Sequence, residues 1–184
     1  ISCMARVNHA RRDGSGPAAD EIPFCWETGT LNHEGLAGVV NAVDYLASLG
    51  AGPEPSRRAW LTRAMHEIQT YERRLSEQLI AGLSAIDGLT VYGLTDPTRF
   101  SERVPTVACR LDGYTPRQVA ERLGDEGIFV WDGNYYALAV MQRLGLEESG
   151  GAVRIGPVHY NLPAEIDRLL VVLRDLAARR APLG

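Results

Sequence analysis

The sequence predicts an α+β fold, a small sheet covered on one face by helices. Two observations carry that expectation. Apolar residues keep helical spacing as far as Leu83, then change to a period near two after Gly88. Beyond Gly88 short apolar runs alternate with capped helical segments, so strands return between helices.

Taken in order, Ile1 to Asp20 has neither period and reads as loop. Asn32 and Glu34 precede Leu36, Val39, Val40, Val43, Leu46 and Leu49 at steps of three and four, and Gly50 is a stop signal. This predicts an amphipathic helix. Pro53 and Pro55 mark a linker, and Ser56 is placed to cap a longer helix carrying Trp60, Leu61, Met65, Ile68, Tyr71, Leu75, Leu79 and Leu83. Its length suits a connection between domains. Leu89 and Val91, then Val104, Val107, Cys109 and Leu111, predict two strands around the polar loop Thr95 to Glu102. Thr115 and Pro116 open a helix through Val119 and Leu123 that ends near Gly127. Ile128 to Trp131 reads as a third strand, Tyr136 to Leu144 as a short helix, and Ala152 to Ile155 as a fourth strand. Ile166, Leu169, Leu170, Leu173 and Leu176 form the stripe of a terminal helix.

Composition narrows the function classes. The 184 residues are 45% hydrophobic and 23% charged with a formal net charge of -4, an ordinary globular balance without a basic face for nucleic acid. Apolar runs such as Leu169 to Leu173 are too short for a bilayer, and no charged-then-apolar leader opens the sequence, so a cytoplasmic protein without a membrane partner is expected. Cys3, Cys25 and Cys109 lack disulfide or zinc spacing and read as reduced thiols. All nineteen basic residues are arginine. At solvated positions that bias fits a GC-rich genome, but it also leaves no lysine for chemistry.

Three segments have more polar detail than packing requires. In Trp26 to Gly35, Gly29 and Thr30 stand before a helix start, a combination that suits a phosphate as well as a plain turn and cap. In Val153 to Asn161, Arg154 alternates with apolar neighbours at a strand end, where it either pairs with a structural carboxylate or offers its fork to a ligand carboxylate. His159 in the same segment can titrate near neutrality or serve packing. In Val130 to Leu138, Trp131, Asn134, Tyr135 and Tyr136 crowd around Gly133, as a pocket wall or a packed corner. Neither HExxH, GxSxG nor a Walker or Rossmann glycine pattern is present.

Four stretches in one order resemble the C-terminal half of the class V aminotransferase family, nearest its cysteine desulfurase-like branch. They are PAADEIPFCWETGTLNHEGLAGVVNAVDYLASLG, MHEIQTYERRLSEQLIAGL, IFVWDGNYYAL and GGAVRIGPVHYNLPAEIDRLL, within about Pro17 to Ala177. The resemblance implies an α/β fold type I pyridoxal-phosphate homodimer. Residues 1–54 would be the end of the large cofactor domain, 55–87 a connecting helix and 88–184 the small α+β domain. Gly29 and Thr30 would reach the partner's cofactor phosphate, and Arg154 would hold the α-carboxylate of an amino-acid substrate. Trp131, Asn134, Tyr135, Tyr136 and His159 are the further candidate substrate contacts.

Two departures accompany the resemblance. Tyr136 stands where cysteine desulfurases carry their nucleophilic cysteine, and tyrosine cannot form a persulfide. The family's Schiff-base lysine, pyridine-facing aspartate and stacking ring lie upstream of the Gly-Thr turn, in sequence these residues do not include. Leu162 also replaces a capping threonine, which predicts a weaker helix start. The function expected is the C-terminal part of an amino-acid enzyme of carbon–sulfur lyase or transaminase type, with no covalent cofactor attachment in these residues. The beginning on Ile1 is expected to lie within a longer protein. The rival expectation is a non-catalytic dimerisation or binding module.

Overall fold

The computed structural model describes residues 30–53 and 56–179. The chain divides into two compact units, Ile1–Leu61 and Thr62–Gly184.

In the first unit, α1 spans His33–Leu49, and the Asn32 side chain accepts from the Gly35 N–H at 2.8 Å as its N-cap. Leu36, Val39 and Val40 stand exposed on it. Ser56 caps α2 (Arg57–Ser84), accepting from the Ala59 N–H at 3.0 Å. Arg57 pairs with Asp44 at 3.0 Å, and the Trp60 indole donates to the Gly52 carbonyl at 3.2 Å.

The second unit holds a four-stranded antiparallel sheet of order β1-β2-β4-β3, formed by β1 (Leu89–Tyr92), β2 (Val107–Leu111), β3 (Trp131–Gly133) and β4 (Ala152–Ile155). Directly opposed residues share a face. Val91, Cys109 and Val153 line up on one side, as do Val107 and Ile155, and all pack into the main core. Leu75, Leu79, Ile80 and Leu83 of α2 cover that side, with Val119 and Leu123 of α3 (Pro116–Asp125) and Ile166, Leu169 and Leu173 of α5 (Pro163–Arg179). Gly82 lets α2 and α5 approach closely, since a Cβ there would lie 2.2 Å from Leu170. The opposite face carries a smaller cluster, in which Met141 of α4 (Leu138–Arg143), Leu146 and Ala152 pack with Tyr92, Ala108 and Tyr135.

Local chemistry explains where elements begin and end. Thr115 and Gln118 form a reciprocal capping box on α3. Its end is a Schellman closure, with Ile128 N–H donating to Leu123 O at 2.9 Å and Gly127 in the left-handed region at φ 70°. The missing threonine before α5 is offset by Glu165, whose carboxylate accepts from the Leu162 N–H at 2.7 Å. That backbone bond, then the one from Asn161, lowers the Glu165 pKa.

Four boundaries differ from the sequence expectation. Val104 is exposed and lies before β2, because Pro105 lacks a donor and Arg103 takes the carbonyls of Val104 and Thr106 at 3.2 and 2.9 Å. The loop from Thr95 contains a 3-10 turn, Pro97–Glu102, begun by Asp96 accepting from the Thr98 N–H at 2.9 Å. The third strand is Trp131–Gly133 instead of Ile128 to Trp131. Continuing the β4 register past Ile155 would set Pro157 opposite Ile128, so the two segments part around a groove of about 270 Å³. The short helix starts at Leu138, because Tyr135 and Tyr136 are left-handed, with φ of 54° and 59°.

Two glycines give stability tests of opposite sign. Gly151 is buried at φ 76°, and a Cβ there would lie 2.1 Å from the Gly133 carbonyl oxygen, so Gly151→Ala should lose more than about 2 kcal/mol in urea unfolding. Gly124 lies in α3 with open space at its Cβ, so Gly124→Ala should gain about 0.5–1 kcal/mol. Equal effects of the two would overturn this account of the backbone.

Candidate functional site

The alternation of β4 creates the site. Val153 and Ile155 enter the core while Arg154, between them, is exposed on the other face. In register, Arg154 lies between Ala108 of β2 and Trp131 of β3, so Trp131 shares its face and is 62% exposed. Among the described residues the Arg154 guanidinium has no ion pair and no hydrogen bond. Its carbon lies 5.3 Å from the centroid of the Tyr135 ring. A structural ion pair, one of the two roles open for this arginine, is therefore absent within the described residues.

The loop from Gly133 to Ala137 is held from several sides. Asn134 donates through its amide to Glu147 at 3.0 Å and accepts from the Tyr136 N–H at 3.1 Å. The Ala137 N–H donates to Asn134 O at 2.7 Å. The Tyr135 hydroxyl donates to the Ala152 carbonyl of β4. Arg110 donates to the carbonyls of Ser149 and Gly151 at 3.1 and 2.8 Å, closing the neighbouring turn. Tyr135 is half-buried, while the Tyr136 side chain is fully exposed at the tip.

Arg154, Trp131 and Tyr135 are thus brought together, with Asn134 as a loop clamp and Tyr136 projecting. His159 belongs to the helix side of the sheet: its N–H donates to Glu72 of α2 at 3.0 Å, with Nδ1 3.9 Å from the same oxygen. Its ring stands edge-on to Tyr160 at 5.2 Å. Thr30 is exposed just before α1 in the first unit. Gly29 lies outside the described residues.

Sequence reading missed the support residues. Glu147, Arg110 and Gly151 act through contacts thirteen to forty-one positions away or through backbone carbonyls, which leave no periodic signal; Glu147 reaches Asn134 across a separation of 13 and Arg110 reaches Gly151 across 41. One Glu147 oxygen is buried without a hydrogen-bond partner among the described residues.

Residues 10–169 match the family described as aminotransferase class-V. A probable cysteine desulfurase from Methanothermobacter thermautotrophicus is 30% identical over 163 residues, 88% of this chain and 36% of that protein. A cysteine desulfurase from Yersinia pestis is 28% identical over 161 residues, covering 34% of it. The apo structure of a cysteine desulfurase from Thermococcus onnurineus superposes with a TM-score of 0.70 at 26% identity, over 89% of this chain and 36% of that one. An Escherichia coli cysteine desulfurase in its S-sulfonic acid form shares the fold, at a TM-score of 0.66 and 20% identity, covering 89% of this chain and 35% of that one.

The chain belongs to the class-V aminotransferase family. Its fold is part of pyridoxal-phosphate fold type I, and it spans about a third of the length of the curated relatives it matches, 36% for the archaeal one. Among the described residues, no helix is long and apolar enough to cross a membrane.

Cys109 is the described cysteine, and burial pushes its thiol up to about 12. It should therefore resist iodoacetamide at pH 8 in the folded chain and react on unfolding. Peptide mapping that finds Cys109 labelled under native conditions at the rate of a free thiol would contradict this burial.

Proposed function

We propose that this chain provides the substrate-carboxylate arm of a pyridoxal-phosphate enzyme acting on an amino acid, of carbon–sulfur lyase or transaminase type. The observation that carries the reading is Arg154, exposed on the open sheet face and without a carboxylate partner among the described residues. Its planar fork can accept both oxygens of an α-carboxylate. The family relationship supports the same role, because the Methanothermobacter and Yersinia relatives are named as cysteine desulfurases, the first as a probable one.

The residues fit the edges of the cofactor and not its anchor. Thr30 has an exposed hydroxyl beside a helix start, suited to a phosphate oxygen, and Gly29 precedes it. The family geometry in which that turn serves the partner's cofactor makes a homodimer the functional unit. No lysine exists in the 184 residues to hold the cofactor aldehyde. When bound, the cofactor supplies an electron sink next to the amino-acid carboxylate. This chain's part is to orient that carboxylate against Arg154, with Trp131 and Tyr136 flanking it.

The described residues offer no thiol for persulfide chemistry at this face. Tyr136 occupies the loop tip where a nucleophilic cysteine is expected, and the Cys109 thiol is buried with its pKa raised by desolvation. A second reading, a non-catalytic binding module, draws support from the exposed Leu36, Val39 and Val40 of α1.

Arg154→Lys keeps the charge and loses the fork, so binding of an amino-acid carboxylate should weaken by roughly 1.5 to 3 kcal/mol with little change in the melting midpoint. Calorimetric titration with L-alanine beside a thermal melt measures both. An unchanged affinity with a lowered melting point would make Arg154 structural. Borohydride treatment of the 184-residue chain with pyridoxal phosphate should leave no pyridoxyl group on an internal residue, since the single primary amine is at Ile1. An internal adduct in the peptide map would reverse that expectation.

A further inference from the structure

We propose that Tyr135 is the positioning residue of Arg154, a fixed aromatic platform that aims the guanidinium at an incoming carboxylate. The proposal rests on the carboxylate role given to Arg154 above. It assigns the aim of that arginine to a ring instead of an acidic partner.

The geometry separates platform from ligand. The Arg154 guanidinium carbon is 5.3 Å from the Tyr135 centroid, and a cation held over a ring face keeps its N–H edge free. An acidic partner would occupy that edge. The ring itself is fixed at its far end by the hydroxyl bond to the Ala152 carbonyl, two residues before Arg154 on the same strand. Its body packs against Met141, Leu146 and Ala152. Burial, then nearby Cys109, raises the Tyr135 phenol well above its ordinary value, with Arg154 pulling the other way, so the hydroxyl keeps its proton for that bond.

Backbone strain points the same way. Tyr135 sits at φ 54°, a conformation uncommon for an aromatic residue, and is maintained by the Asn134 bonds to Glu147 and to the Tyr136 N–H. Glycine at 135 would relieve the strain and remove the ring. The loop instead retains a strained tyrosine at the one place where its face meets Arg154.

The test uses the full 184-residue chain, ¹⁵N-labelled, with L-alanine as probe and the Arg154 Nε–H signal as readout, assigned by its loss in Arg154→Lys. Tyr135→Phe should keep the ring-current shift of that signal and bind L-alanine within about twofold of the unmodified chain. Tyr135→Leu should lose the shift and bind about three- to fivefold more weakly, as a partly exposed cation–π contact implies. Should Tyr135→Leu misfold, phenylalanine at 135 with one, two and three ring fluorines keeps the shape and weakens the ring face, and affinity should fall in step. Leucine binding as tightly as tyrosine, phenylalanine losing as much as leucine, or no trend with fluorine would each overturn the platform. If Arg154 in the unmodified chain does not respond to L-alanine at all, the carboxylate role itself fails and the platform falls with it.

Discussion

The register of β4 is the constraint on which the second unit depends. Four residues, Ala152 to Ile155, pair with β2 on one side and β3 on the other, and Val153 and Ile155 join the core beneath α2 and α5. A slip of one residue would exchange the faces of the whole strand and drive Arg154 into that apolar core. Burying an unpaired guanidinium costs several kcal/mol, on the order of half the stability of a domain this size. The packing of Val153 and Ile155 and the exposure of Arg154 are thus fixed by the same alternation. The close contact of Gly151 with the Gly133 carbonyl adds a steric stop at the strand's beginning.

Strain is concentrated beside that strand. Two consecutive tyrosines in the left-handed region each cost about 1–2 kcal/mol relative to ordinary backbone, so the loop needs compensating bonds. The Asn134–Glu147 contact, the Tyr135–Ala152 bond and the Arg110 clamp on Ser149 and Gly151 supply them. The first two tie the loop to the turn between α4 and β4 and to β4, and the Arg110 clamp holds that turn on β2, so the loop's conformation is set by the sheet. An exposed loop tip can then be rigid without being buried.

What could be read from sequence was what local chemistry or period encodes. Asn32, Ser56 and Thr115 cap the helices they precede, and β4 has the expected bounds because an arginine amid apolar residues marks a half-exposed strand. The third strand is displaced because its partner β4 ends at Ile155, with Pro157 in the segment that follows, and the apolar run from Ile128 carries no sign of that limit. The helix placed at Tyr136 failed for a related reason: aromatic residues do not announce positive φ as glycine does. For the site, Arg154 and the aromatic loop were legible as residue types, and the structure brings Arg154, Trp131 and Tyr135 onto one face. His159 shared a segment with Arg154 but docks on α2 through Glu72, since a strand end and the turn after it need not face the same way.

The replacement at the loop tip has a physical consequence on the proposed reading. A cysteine at the position of Tyr136 would combine a strained, exposed backbone with a small nucleophile free to approach substrate sulfur. A phenol there is larger and has no sulfur chemistry. The described thiol cannot take over, because Cys109 points from β2 into the core and its ionisation is opposed by burial. On that reading the carboxylate end of an amino-acid site would be kept while the sulfur-accepting end would be closed by a bulky ring. A substrate held by Arg154 would meet an aromatic wall where a desulfurase presents its nucleophile, and discrimination at that wall would come from shape and stacking in place of covalent capture.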